Sequence, residues 1–244
     1  MVVVPFHSLI MLPGITFYFK KDYFNEIAQT EAKENLEVLM IMLKSEKEIR
    51  QMLEACRISA EALKVAGEAV EPGVSTWEID RIARKYIESK GAKPTFLGYN
   101  GFPASACISI NDEVIHGIPD KSRIIRAGDI VSIDLGACIN GYTGDNAATF
   151  ACGDVSAEAK RLMETTEQSL YEGIRKAVPG GRLGDVGFAI QSYCEERGYG
   201  VVKEYTGHGI GSALHEDPSV PNYGTQGRGV RLVPGMTIAI EPMI

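Results

Sequence analysis

Paired cysteines, excess positive charge and unbroken apolar runs are all missing from this 244-residue chain, and each absence excludes a class of protein. Its five cysteines, Cys56, Cys107, Cys138, Cys152 and Cys194, are odd in number, widely spaced and never arranged as C-x-x-C. That rules out a disulfide scaffold and a zinc finger, and fits a reducing compartment. Lys and Arg number 25 against 32 Asp and Glu, a net charge of −7. Direct nucleic-acid binding would require a basic face to neutralise phosphates, so that class is set aside. Residues 1–19 carry no charged side chain, but Pro5, Pro13 and Gly14 interrupt them, and Lys20 and Lys21 follow rather than precede the apolar part. A secretory signal has the reverse order, and a membrane span is longer and unbroken. The expectation is a cytoplasmic protein without a membrane anchor.

What is present is ordinary globular sequence, 45% hydrophobic and long enough to bury a substantial core. Residues 1–40 form a separate segment of unknown role, with strand-like Val2-Val3-Val4 and Ile15-Thr16-Phe17-Tyr18-Phe19 around a Pro-Gly turn. From Lys44 the spacing of Ile49, Met52, Leu53, Cys56, Ala60 and Leu63 predicts an amphipathic helix, stopped by Glu71-Pro72-Gly73. Ser75-Thr76-Trp77-Glu78 then supplies an S-x-x-E capping box for a second helix reaching Lys90, with Gly91 as its stop.

The chain repeats itself at an offset of 107 residues: Pro72-Gly73 falls on Pro179-Gly180, Tyr86 on Tyr193, Gly91 on Gly198 and Gly128 on Gly235. The same offset carries Asp134 onto Glu241. Each half therefore reads as two helices followed by strands, with an acid on the last strand, and the two halves would face each other across a pseudo-two-fold cleft. The first half continues past Asp134 through a hairpin to Phe150, for which the second half has no counterpart before Ile244. By its own symmetry the sequence reads as C-terminally truncated.

Residues 130–139 are strand-like, Asn140-Gly141 is a type I′ turn signal, and residues 142–150 return. A two-residue turn pairs Asp145 with Gly136, which puts Asp134 and Asp145 diagonally on one face. Two acids among Ile133, Leu135, Ala147 and Ala148 would repel each other and suffer desolvation unless a cation joined them. Three glycines surround His208 in Thr-Gly-His-Gly-Ile-Gly, and His215-Glu216 follows. One imidazole with carboxylates is a borderline-hard ligand set, suited to Mn, Fe, Co or Zn, and carboxylates can bridge a pair of ions. His116 lies between Asp112-Glu113 and Gly117-Ile118-Pro119. Like His215, it is suited to hydrogen bonding or proton transfer beside such ions.

Seven segments in order, 96–103 (FLGYNGFP), 108–119 (ISINDEVIHGIP), 132–136 (SIDLG), 141–145 (GYTGD), 206–211 (TGHGIG), 214–218 (LHEDP) and 240–243 (IEPM), resemble those of a type I methionine aminopeptidase. The resemblance covers about residues 42–244. It implies the α/β pita-bread fold over residues 41–244, and removal of the N-terminal methionine from nascent polypeptides with a metal-bridging hydroxide as nucleophile. It further implies two divalent ions held by Asp134, Asp145, His208 and Glu241, with Asp145 bridging, Asp134 on the second ion, and His208 and Glu241 on the first. His116 would contact the scissile amide, His215 would steady the developing oxyanion, and Glu241 would shuttle the proton. Phe96, Tyr99, Phe102, Cys107 and Leu214 would form the methionine slot.

The family's fifth ligand, a second bridging glutamate, lies downstream of the I-E-P-M segment, so weak second-ion binding and an exposed sheet edge are expected. Residues 1–40 have no counterpart in the short form of the family, which makes Met40 or Met42 a sensible start. Meeting nascent chains at the ribosome is the family expectation, and a monomer is the default. Two alternatives stand beside this reading: a catalytically inactive binding module on the same scaffold, and a proline-specific aminopeptidase. The latter resembles a variant with a histidine where Ser212 stands and a large N-terminal domain. Only 25 residues separate His215 from Glu241, too few for the insertion of a type II enzyme.

Overall fold

The computed structural model describes residues 41–244. The strand-like segments expected within residues 1–40 lie outside the described residues. Among the described residues no helix is long and apolar enough to cross a membrane.

Each half of the chain opens with a helical pair. Helix α1 (Glu46–Glu68) starts at a capping box in which the Ser45 side chain accepts from the Glu48 N–H and Glu48 returns the bond, a signal the sequence reading passed over. Helix α2 (Thr76–Ser89) starts at the expected Ser75/Glu78 box and ends where Gly91, at φ 74°, turns the chain. Strands β1 (Lys93–Pro94), β2 (Ala106–Ile110), β3 (Ile130–Ile139) and β4 (Tyr142–Ala151) follow as one antiparallel sheet, with β1 and β2 pairing β3 and β4 closing the hairpin. The second half repeats the plan with α3 (Ala157–Lys176), α4 (Leu183–Glu195) and a smaller sheet of β5 (Gly207–Gly209), β6 (Glu216–Val220) and β7 (Ile238–Ala239), ordered β6-β5-β7.

The repeat holds down to individual hydrogen bonds. Gly73 N–H donates to Ile125 O and Gly180 N–H to Leu232 O; Thr76 N–H donates to Arg123 O and Leu183 N–H to Val230 O. Isolated bridges join Ser75 to Ile124 and Arg182 to Arg231, again 107 residues apart. Gly128 and Gly235 both stand at positive φ, 93° and 88°. Only the first half shows a hairpin partner for its acid-bearing strand: among the described residues β7 pairs with β5 and no strand covers its other side.

Two apolar cores result. The first packs Leu63, Ile79, Ile87, Ile108, Ile125, Val131, Ile133 and Leu135 between α1, α2 and the larger sheet. The second packs Leu170, Val186, Ile190, Val220, Leu232 and Ile240. The face that α1 buries is wider than its expected stripe. Ile49, Leu53 and Ala60 are only partly covered, while Ala55, Ser59, Ala62 and Ala66 are fully covered. The reason is the close approach of β4, where a Cβ on Gly144 would fall 2.5 Å from Cys56 Cα and only small residues fit the contact. Asn146 on the same strand donates to Ser59 Oγ at 2.6 Å.

Candidate metal centre and its cleft

Strand alternation and one tight turn position the first two acids. Asn140 and Gly141 stand at φ 55° and 81°, the mirror-image turn that needs left-handed backbone at both central positions. The register that this turn sets pairs Gly136 with Asp145 and Asp134 with Ala147, so the two carboxylates lie diagonally on the cleft face of the sheet, as the arithmetic required. The second sheet supplies the other two candidate ligands. His208 sits on β5 beside Ala239 of β7, at a register shift between His208 and Gly209, and Glu241 follows two residues after Ala239.

These elements bring ligand atoms of Asp145, His208 and Glu241 within 4.8 Å of one another. His208 Nε2 lies 3.1 Å from Glu241 Oε1 and 3.5 Å from Asp145 Oδ2. The Asp134 carboxyl stands just outside this trio and packs against that of Asp145. The other imidazole nitrogen, His208 Nδ1, is 2.8 Å from the Gly209 carbonyl. A carbonyl can only accept, so Nδ1 donates to it and Nε2 is the nitrogen turned to the acids; without a metal Nε2 also carries a proton, which a bound ion would replace.

The electrostatics carry the same message. Burial raises the Asp134 pKa well above the carboxylate range, and the Asp145 and Glu241 carboxylates push it further. Burial also raises Glu241, against the opposing pull of His208. Burial alone would lower His208, yet its bonds to Asp145 and Glu241 lift it to about 11. Three carboxylates against one imidazole leave negative charge in excess inside a water-poor cleft, and a divalent cation is the species that relieves it. The donor set therefore fits the metal that its chemistry implied.

Above the acids opens a cleft of about 570 Å³ that gathers every residue expected for the site. Phe96, Cys107 and Leu214 are buried in a small apolar cluster with Met52 and Ile210, and Phe102 packs against it. Burial pushes the Cys107 thiol up, beyond the range in which it could ionise, so it serves as an apolar contact. Tyr99 stands at the rim, its hydroxyl 2.7 Å from His215 Nδ1. The His215 ring lies edge-on to that of His208 at 4.3 Å, and burial followed by the charge on His208 lowers its pKa. His116 adopts φ 60°, rare for a residue with a side chain, on a loop held where the Arg123 guanidinium donates to the Ile108 and Ile118 carbonyls. Burial lowers the His116 pKa as well.

Among the further residues that line the cleft, Tyr205, Met243 and Ser132 were not singled out by the sequence. Tyr205 packs edge-on to His116 at 6.0 Å. Met243 and Ser132 line the cleft two residues from Glu241 and Asp134, and the period of two along a strand was the signal that could have found them.

Comparison with known proteins places this geometry. The profile of Metallopeptidase family M24 matches residues 50–244. Over 205 residues the chain is 53% identical to a methionine aminopeptidase of Clostridium acetobutylicum and 50% identical to methionine aminopeptidase 1 of Bacillus subtilis, covering 84% of this chain and 82% of each relative. The crystal structure of methionine aminopeptidase from Thermotoga maritima superposes with a TM-score of 0.82 at 42% identity, covering 83% of this chain and 82% of that one. An X-Pro aminopeptidase of the same organism, at 21% identity and a TM-score of 0.69, shares the fold. The duplicated α/β architecture, the acids and imidazole gathered from both halves and the sequence identity agree: the chain belongs to metallopeptidase family M24, among its methionine aminopeptidases.

Proposed function

We propose that this protein removes the N-terminal methionine from nascent polypeptides by hydrolysing the first peptide bond. The observation that carries the reading is the convergence of Asp145, His208 and Glu241 on the floor of a cleft whose neighbouring wall is apolar. Asp145, His208 and Glu241 would hold one divalent ion, and Asp134 with Asp145 a second. With two donors against three among the described residues, the second ion binds more weakly. The mixed carboxylate and imidazole set suits Co, Mn, Fe or Zn. When bound, such ions supply Lewis acidity, polarising the scissile carbonyl and acidifying water.

The side chains of the chain itself do the rest. The slot of Phe96, Phe102, Cys107 and Leu214, with Tyr99 at its rim, takes the thioether of the first residue, and burying a methionine side chain supplies about 1.5–3 kcal/mol. His116 and His215, both held neutral near pH 7 by their lowered pKa values, donate to the scissile amide and to the oxygen that gains charge. If the Tyr99 hydroxyl donates to His215 Nδ1, the His215 proton sits on Nε2, facing the cleft. Glu241, whose pKa is raised, relays the proton from water to the leaving amine. Residues 41–244 act as one metallopeptidase domain. The partners are the N-termini of nascent chains, met in the cytoplasm beside the ribosome by a monomer.

The test is hydrolysis of Met-Ala-Ser by the purified chain loaded with Mn or Co. Free methionine should be released, release should stop on chelation and return with metal, and Leu-Ala-Ser should be cleaved far more slowly. Failure to release methionine in the metal-loaded state counts against the reading, and a preference for Xaa-Pro peptides would assign the proline-specific activity instead.

A further inference from the structure

Lys44 belongs to none of the motifs above, yet its side chain crosses 172 residues of sequence to pair with Glu216. The two side chains are 6% and 5% exposed. Lys44 Nζ also donates to the Met42 carbonyl at 2.8 Å, and its own N–H donates to Gly235 O at 2.7 Å, just ahead of β7. On the far side, Glu216 Oε1 accepts from the Ala213 N–H at 3.1 Å and from Ser212 Oγ at 3.4 Å. Glu216 thereby closes the loop of residues 211–216. The other end of that loop is tied to the hairpin, where Thr143 N–H donates to Gly211 O at 2.8 Å. A Cβ on Gly211 would displace the pair, since it would overlap Lys44 Cε and stand 2.6 Å from Glu216 Oε1.

Two cleft residues ride on this loop. Leu214 sits in the apolar cluster, and His215 stands against His208 and Tyr99. Phe96, Phe102 and Cys107 reach the slot from other segments, whereas His215 sits where this loop runs into β6, whose first residue, Glu216, pairs with Gly209 of β5. A buried charge left without its partner is far more costly than the pair, so breaking the Lys44–Glu216 contact is penalised.

The geometry points to Lys44 as a positioning residue: through Glu216 it holds the 211–216 loop in the arrangement that sets His215 beside the metal centre. The kinetic part of this inference rests on the proposed aminopeptidase activity, and its conformational part does not. The test compares Lys44→Met, Glu216→Gln and the double variant with the parent chain, using amide hydrogen exchange of the metal-free proteins and Met-Ala-Ser kinetics of the Mn-loaded ones. Each single variant should speed exchange of the 211–216 amides about tenfold or more while α2 and β3 amides keep their rates. Each should lower kcat about tenfold with KM changed less than about threefold. The double variant, which buries neither charge alone and lets Gln accept from Ala213, should recover much of both losses. Parent-like exchange and kcat in the single variants would overturn the inference, and so would faster exchange spread evenly over the domain. A parent chain that hydrolyses no Met-Ala-Ser would sink the activity and leave the exchange comparison to decide the latch.

Discussion

Single residues show how far a buried charge shapes this protein away from its metal centre. Asp80 on α2 is 6% exposed, and its Oδ1 accepts from the Ser105 and Ala106 N–H groups at 2.7 and 3.0 Å, tying the helix to the start of β2. Burial nevertheless wins over those bonds and raises its pKa. A carboxyl with a folded pKa above the unfolded one binds the proton more tightly when folded, so its contribution to stability falls as pH rises from the ordinary carboxylate range through the raised value. Asp80→Asn keeps an oxygen for both N–H groups and removes the charge. Urea unfolding at pH 4.5 and 7.5 should show the variant gaining on the parent chain at the higher pH; a gap that moves the other way would refute the account. The site acids were readable from the sequence because Asn140-Gly141 fixes the register of Asp134 against Asp145. Lys44 and Tyr205 were not, since what matters about each is a contact with a distant part of the chain, and no periodicity reports that.

At the level of elements, the spacing between helix and hairpin decides where the hairpin acids stand. Gly144 precedes Asp145, and a Cβ there would lie 2.5 Å from the backbone of α1 at Cys56. Gly144→Ala must push the helix off the strand that carries Asp145, so it should destabilise the chain by about 1–3 kcal/mol and, if Asp145 holds metal as proposed, weaken metal binding with it. Chemical unfolding and metal titration of the same variant check both. The Ser75/Glu78 cap and its helix were legible because side chain and backbone lie three residues apart. The buried face of α1 was read too narrowly, because a strand that approaches through glycine admits alanine and serine as core residues.

Across the whole molecule, the offset of 107 residues foretold the duplicated architecture, and the paired hydrogen bonds of Gly73 and Gly180 show that the repeat is structural. The offset could not tell how the two sheets face each other, which depends on packing between halves. The first sheet brings Asp134 and Asp145 to the cleft and the second brings His208 and Glu241, so a bound ion ties one half to the other. Mn or Co at a hundredfold excess over its dissociation constant should stabilise the chain by about 2.7 kcal/mol. For a domain of this size that raises the melting temperature by about 5–10 °C. In calorimetry His208→Ala should lose this increment; if it keeps the full shift, the ion sits elsewhere. A tie of this kind also bears on how long each molecule survives. In a cell starved of divalent ions the walls of the cleft would part more often, and proteases cleave what opens. Metal supply would then set the lifetime of the protein as well as its rate of work.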